Sequence, residues 1–330
     1  MKYNSINWGI IGVGDVCEVK SAPAMNLIEH SRLVAVMRRN GEKARDYAQR
    51  HQVPKWYDNA DKLINDPEVN AIYIATPPGS HAEYAIKAAQ AGKPVYVEKP
   101  MARDHAECMK MIEACKKASI PLFVAYYRRT LPHFLKVKEI IDQGMIGTIR
   151  MVNVVLTKPV APDIVASNED NWRVDPDIAG GGYFYDLASH QLDFLDYVLG
   201  PIVGARGYAT NQAGHYIAED IVTAVFHFEN GVLGTGSWCF TASAPSDCDV
   251  TTIVGSNGQV SYASFGKPEV ILEINGKTRE VFSFAVPAHV QQPLIQTVVD
   301  DLRGHGLCPS TGESAARTNF IMESIVKNTI

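Results

Sequence analysis

The sequence predicts two units: an N-terminal α/β unit with a doubly wound parallel sheet, and a C-terminal α+β unit with an open, mostly antiparallel sheet. Three observations carry this. Short apolar strand runs alternate with helical runs over the first 120 or so residues, which is the pattern of βαβ crossovers in a parallel sheet. From about residue 148 the chain changes to long strand runs joined by hairpin-type turns. A glycine turn follows the first strand. The boundary is placed at residues 1–123 and 124–330, with the last helix free to pack back on the first unit.

In order, NWGIIGV reads as a strand and AMNLIEHSR as a helix; LVAVM is a strand and EKARDYAQRH a helix. NAIYIAT, VYVEKP and LFVAYY are further strands, separated by the helical HAEYAIKAAQAG and HAECMKMIEACKKAS. In the second half TIRMVNVVLTKP, IVGARGYAT, DIVTAVFHFENGVLGTGSWCF, DVTTIVGSNGQVSYAS and EVILEINGKTREVFSF are strand runs, expected to pair in antiparallel succession. Glu229-Asn230-Gly231, Ser256-Asn257-Gly258 and Asn275-Gly276 supply the turns. One helix interrupts them, YFYDLASHQLDFLDYVLG, introduced by Gly180 to Gly182; VQQPLIQTVVDDLRG and SAARTNFIMESIVKN close the chain.

Composition sets limits on function. The 330 residues are 46% hydrophobic and 20% charged with a net charge of −5, enough for two cores and without the basic face that a nucleic-acid or membrane-surface binder needs. No apolar run approaches the ~18 residues of a membrane span. MKYNSINWGIIGVG enters a strand without the apolar region of a signal peptide, so a cytoplasmic location is expected. The six scattered cysteines show no CxxC pair, which suggests buried free thiols in a reducing compartment and no metal site.

The first strand runs into Gly12-Val13-Gly14-Asp15-Val16-Cys17, a partial GxGxxG. Its glycines allow a tight turn and close approach of a pyrophosphate to the backbone of Gly12, Gly14, Asp15 and Val16. The second strand ends in Arg38-Arg39-Asn40, with Lys43 one turn on, where an NAD-preferring fold usually offers a carboxylate. Guanidinium groups there favour a 2′-phosphate, so NADP is expected in preference to NAD.

Two constellations carry chemistry. Glu98-Lys99-Pro100 follows the buried strand Val95-Tyr96-Val97, at the carboxyl edge where such sheets bind ligands. Asp186 and His190 stand four apart and so share one helix face, followed by Phe194; Asp193 and Asp196 lie elsewhere and are expected to be solvated. Histidine suits removal of a hydroxyl proton near neutrality, and lysine suits stabilisation of the resulting alkoxide.

These segments resemble the glucose–fructose oxidoreductase, inositol dehydrogenase and rhizopine-catabolism family, written Gfo/Idh/MocA. The matching stretches are GIIGVGDV, AIYIATPPGSHAEYAIKAAQAGKPVYVEKP and NWRVDPDIAGGGYFYDLASHQLDFL. The resemblance implies a Rossmann N-terminal unit and a catalytic group of Lys99, Asp186 and His190. It further implies cofactor contacts from Thr76, Pro77, His81 and Glu98, from Arg128 in Arg128-Arg129, and from the Trp172-Arg173 pair. Cys17 replaces a usual Ala or Gly. Tyr127 stands where many members have Asn, so no cofactor contact is carried to it. The family's C-terminal sheet commonly forms the oligomer interface, which implies a homodimer or homotetramer.

The function expected is hydride transfer between NADP or NAD and a hydroxyl-bearing carbon of a sugar, sugar derivative or cyclic polyol. Three alternatives stay open: an epimerase or elimination enzyme on a tightly held cofactor, a trans-dihydrodiol dehydrogenase-like enzyme with Tyr126, Tyr127, Tyr183 and Tyr185 in an aromatic-friendly pocket, and a dinucleotide-sensing regulator. Substrate choice is expected from the open sheet face and from residues 158–172.

Overall fold

A computed structural model describes residues 3–160 and 171–327. The chain divides into two compact units, Met1–Tyr127 with Pro287–Ala316 and Arg128–Val286 with Arg317–Ile330. The first unit therefore recruits a second, distant stretch of chain. Among the described residues no helix is long and apolar enough to cross a membrane.

The first unit holds six parallel strands, β1 (Ile6–Ile11), β2 (Ser31–Met37), β3 (Lys55–Tyr57), β4 (Ala71–Ile74), β5 (Val95–Val97) and β6 (Leu122–Val124), in the order β3-β2-β1-β4-β5-β6. This is the doubly wound order. Its reversal between β1 and β4 opens a crevice at the strands' carboxyl ends, because crossovers on the two sides leave in opposite directions. Strands β4, β5 and β6 are buried on both faces and read as unbroken apolar runs, as a sheet covered on both sides requires. Edge strand β3 is three residues long and half-exposed, too short to have shown in the sequence.

The helices Gly41–Arg50 and His105–Lys117 start at side-chain caps: Asn40 Oδ1 accepts from Lys43 N at 3.0 Å, and Asp104 Oδ1 accepts from Glu107 N at 2.8 Å. The expected helix AMNLIEHSR is cut to Ala22–Met25, because Asn26 Oδ1 accepts from Leu33 N at 2.8 Å and draws the chain towards β2. The late helix Gln292–Arg303 completes the core, burying Leu294, Ile295, Val298, Val299 and Leu302 in one cluster with Trp8, Tyr73 and Tyr96.

The second unit is built on an eight-stranded sheet: β7 (Ile149–Thr157), β8 (Ile202–Thr210), β9 (Ile221–Phe228), β10 (Leu233–Cys239), β11 (Cys248–Gly255), β12 (Gly258–Tyr262), β13 (Glu269–Ile274) and β14 (Glu280–Ser283). The order is β14-β13-β12-β11-β7-β10-β9-β8. Every pair is antiparallel except β7 with β10, so the sheet is mostly antiparallel, as expected, with one parallel pair inside it. Strand β7 sits centrally, with the β8–β10 meander on one side and β11–β14 on the other.

Alternation along β9 and β10 buries Val222, Ala224, Phe226, Phe228 and Trp238 on one face. Helices cover that face. Phe194, on the helix Ser189–Leu199, packs edge-on against Phe134 at 4.6 Å and Tyr262 at 5.7 Å, and Trp238 Nε1 donates to Gln191 Oε1 at 2.7 Å. Phe134 belongs to Pro132–Asp142, a helix the sequence reading does not place although Phe134, Val137 and Ile140 carry its spacing.

Candidate active site

In the first unit the site residues lie in the turns after β1, β2, β4 and β5. Gly12 has φ +95°, and a Cβ there would meet Thr76 Cγ2 at 2.6 Å, so only glycine lets the β1 turn lie against the β4 turn. Nothing stands within 4 Å of where a Cβ on Gly14 would project. That open face beside an exposed backbone is the cradle a pyrophosphate needs, so the residues present fit a dinucleotide. Asp15 and Val16 begin the helix Asp15–Val19. Cys17 is buried beneath the turn, where burial pushes its thiol up to about 12 and removes it from chemistry at neutral pH.

After β2, Arg38 donates through Nη1 to Val13 O at 3.2 Å, which brings the guanidinium against the glycine turn. Arg39 and Lys43 are exposed around the start of Gly41–Arg50. After β4, Thr76 and Pro77 are half-buried. His81 is wholly buried, its Nε2 2.7 Å from Thr76 O and its Nδ1 3.2 Å from Pro100 O and Met101 O. Both ring nitrogens face carbonyl oxygens, so the ring ties the β4 turn to the β5 turn, and burial lowers its pKa against the pull of those carbonyls.

Glu98 follows β5 and is 8% exposed. Its Oε1 accepts from the Tyr73 hydroxyl at 2.5 Å and from Gln291 Nε2 at 2.6 Å. Sequence reasoning missed both partners: Tyr73 reads as a core strand residue, and Gln291 lies 193 positions away, beyond any local pattern. Lys99 is half-buried and joined to Pro100 by a cis peptide bond.

In the second unit Asp186 lies in a π-helical turn, Phe184–Ala188, and the α-helix proper begins at Ser189, one residue before His190. The pair is therefore not on an uninterrupted α-helix. Such single π turns occur often at functional sites because they break the regular side-chain register. A Cβ on Gly182 would meet Ala218 Cβ at 2.8 Å and Glu219 O at 3.0 Å, so the glycine run lets the helix start against the 218–219 loop. Glu219 Oε1 accepts from Gly182 N at 3.2 Å, and burial raises its pKa.

Asp186 is held by Arg173, with Nε to Oδ2 at 3.4 Å, and the Arg173 guanidinium lies 4.5 Å from the centre of the Trp172 ring. The structure thus joins three of the expected site residues into one cluster. His190 is 3% exposed and meets the Phe265 ring edge-on at 6.0 Å. Arg128, expected at the cofactor, is 6% exposed; its Nε donates to Ser264 O at 2.9 Å and its guanidinium lies 4.4 Å from the Phe265 ring centre.

Asp193 and Asp196 are buried rather than solvated. Asp193 receives a two-pronged bond from Arg129 at 2.6 and 2.8 Å, and Asp196 receives one from Arg317 at 2.7 and 3.2 Å. Burial pushes the Asp193 carboxyl up to about 6 against the pull of Arg129. These pairs clamp the helix that carries His190. Tyr126, Tyr183 and Tyr185 are core residues, at most 4% exposed. Of the expected specificity segment, residues 161–170 lie outside the described residues.

Residues 6–126 match the model of an oxidoreductase family with an NAD-binding Rossmann fold, and residues 134–261 match a GFO/IDH/MocA C-terminal domain. Oxidoreductase P35 of Formosa agariphila is 42% identical over 96% of this chain and 97% of its own. A myo-inositol 2-dehydrogenase of Thermotoga maritima is 31% identical over 68% of this chain and 66% of its own. Among solved structures, levoglucosan dehydrogenase in complex with NADH and levoglucosan has the same fold, with TM-score 0.87 at 22% identity over 98% of this chain and 97% of that one.

Proposed function

We propose, for a chain that belongs to the Gfo/Idh/MocA oxidoreductase family, that it moves a hydride between a nicotinamide dinucleotide, NADP in preference to NAD, and a hydroxyl-bearing carbon of a sugar, sugar derivative or cyclic polyol. The bound nicotinamide supplies the hydride acceptor or donor. His190 takes the hydroxyl proton on its imidazole, the Lys99 ammonium steadies the oxygen as its charge develops, and Asp186 orients the substrate.

The observation that carries the reading is the helix start at Asp186. A carboxylate fixed by Arg173 at 3.4 Å stands four residues before a buried histidine, in a chain whose parallel sheet ends β5 in Glu98-Lys99-Pro100. Arg38 and Arg39 at the end of β2 support NADP, since that turn offers cations to the adenosine ribose and no carboxylate. The inositol dehydrogenase relative supports a polyol substrate. The open face of the second sheet, with Tyr208, Val225 and Leu233 each about 60% exposed, supports association of two or four chains through that face.

The test is nicotinamide absorbance with NADP⁺ and then NAD⁺ across aldoses, inositols and sugar acids. Reduction of NADP⁺ by one substrate class is expected. His190→Ala should lower kcat by ~10²–10⁴, the usual worth of a positioned acid or base, and Lys99→Met should abolish detectable turnover. Full turnover in either variant would remove that residue from the mechanism. Silence across the panel, with dinucleotide already bound to the purified protein, would favour the closed-cycle epimerase or elimination reading.

A further inference from the structure

We propose that Gln291 is a positioning residue for the dinucleotide, setting the direction of the Glu98 carboxylate and tying it to the helix that follows the glycine turn. This rests on the reading above that the first unit binds a nicotinamide dinucleotide.

Glu98, Tyr73, Tyr96 and Gln291 form a polar network inside an otherwise apolar core. Tyr73, Tyr96 and Gln291 are fully buried. Tyr96 donates to Gln291 Oε1 at 2.8 Å, and Gln291 Nε2 donates to Glu98 Oε1 at 2.6 Å. This fixes which way the amide points, because the flipped form would set its oxygen against a carboxylate oxygen at that distance. Tyr73 donates to the same Oε1 at 2.5 Å. Burial holds both phenols well above their ordinary pKa, with Glu98 adding to the shift, so both remain donors near neutral pH.

Two donors on Oε1 lock the carboxylate's rotation. Among the described residues the other oxygen accepts only a long bond of 3.3 Å from Lys99 N, and it keeps capacity for a ligand hydroxyl. The backbone around Gln291 points to the same role. Gln291 N donates to Lys20 O at 3.1 Å, and His289 Nδ1 lies 2.6 Å from Val19 O. Residues 289–291 thus grip the end of the helix Asp15–Val19 through the Gln291 backbone and the His289 imidazole, while the Gln291 side chain grips Glu98. A network serving stability alone would gain more from apolar side chains of the same volume, since buried polar groups are costly unless every partner is met. The β2 turn faces the adenosine ribose and a dinucleotide lies across the switch point between β1 and β4, so Glu98, after β5, belongs to the nicotinamide-riboside half, and Gln291 acts there through it.

The experiment titrates NADPH, by its fluorescence, and 2′,5′-ADP, which lacks the nicotinamide riboside, into wild type, Gln291→Met, Glu98→Gln and the double variant. If wild type prefers NADH, NADH and ADP replace them. Gln291→Met should raise the dinucleotide Kd about tenfold, with no change for the adenine fragment, in line with loss of one hydrogen bond to a charged group. The double variant should bind no worse than Glu98→Gln alone, since both act through one carboxylate. Unchanged dinucleotide affinity, or equal loss for both ligands, would overturn the proposal and leave Gln291 a packing residue. If Gln291→Met does not fold, Tyr73→Phe removes a single hydroxyl from the same oxygen and must show the same split. Wild type that binds neither ligand would end the dinucleotide reading itself, whereas wild type that binds both beside an unaffected variant would end this inference alone.

Discussion

Gly12 and Gly14 stand two residues apart in one turn and should fail in different ways. Gly12→Ala combines φ +95° with a 2.6 Å contact on Thr76, so it should cost ~1–3 kcal/mol of stability and lower the melting temperature. Gly14→Ala meets nothing within 4 Å and should leave the melting temperature almost unchanged. Its new methyl occupies the open cradle, however, so calorimetry should show dinucleotide affinity falling about tenfold. Equal affinity in Gly14→Ala would place the pyrophosphate elsewhere. Arg38→Asp should weaken NADP binding by roughly ten- to a hundredfold and move preference towards NAD, since a charged hydrogen bond is worth ~1.5–3 kcal/mol. An unchanged NADP/NAD ratio of kcat/KM would show that Arg38 serves only its bond to Val13 O. Such residues can be singled out from the sequence because a glycine pair after a strand and a cation at the next strand's end are marked by their place in the chain. Gln291 cannot, because its bond to Glu98 exists only in the fold.

At the scale of elements, the helices Asp15–Val19 and Gly41–Arg50 are joined by Glu18, which accepts from Arg50 at 2.8 and 3.0 Å and lies 2.7 Å from His51 Nε2. The Arg50 hydrogen bond, outweighing desolvation, holds the Glu18 carboxyl down at about 2. A folded value below the unfolded one, ~4.3, means stability that is present above that range and lost as pH falls towards 2. Glu18→Gln should therefore flatten the fall of the urea midpoint across that acid window, modestly, because the side chain is 37% exposed and screened by solvent. An identical acid limb in the variant would show the pair to be energetically silent.

The helix Ser189–Leu199 depends on a different kind of pair. Arg129 and Asp193 are 2% and 1% exposed, so Arg129→Leu leaves a buried carboxylate alone and should cost ~3–5 kcal/mol by urea denaturation. Arg129→Leu with Asp193→Leu should recover most of that loss. Failure to recover would mean that the pair also sets the helix's position. The sequence showed this helix by its apolar period but misread its aspartates, since a carboxylate's spacing carries no sign of a buried arginine 64 residues earlier. The π turn at Phe184–Ala188 was hidden too, since a spacing of four between Asp186 and His190 reads the same on a regular helix.

For the whole molecule, the second sheet buries one face under helices and exposes Tyr208, Val225 and Leu233 on the other. The pairing of β10 with β9 and β7 places Leu233 between His227 and Met151, itself 39% exposed, on the face that also carries Val225 and Tyr208 among Arg206, Thr223 and Thr235. Patches of this kind usually mark an interface. Leu233→Glu should reduce the mass seen by light scattering from a multiple of the 36.2 kDa chain to a single chain. Wild type that already runs as a single chain would remove this face from assembly.

The sequence by itself determined what depends on neighbours along the chain: the alternating βαβ order, the hairpin turns, the glycine turn, Glu98-Lys99-Pro100, and the Asp186 to His190 spacing. Period and turn chemistry are local, so they can be read before folding. Tertiary structure alone decided which strand lies beside which, as in the parallel pair of β7 and β10, and which polar groups go inside. It made Asp193, Asp196 and Gln291 buried partners of Arg129, Arg317 and Glu98. The physical reason is that burying a polar group is favourable only when a matching donor or acceptor arrives with it. That match is set by packing between segments far apart in the chain.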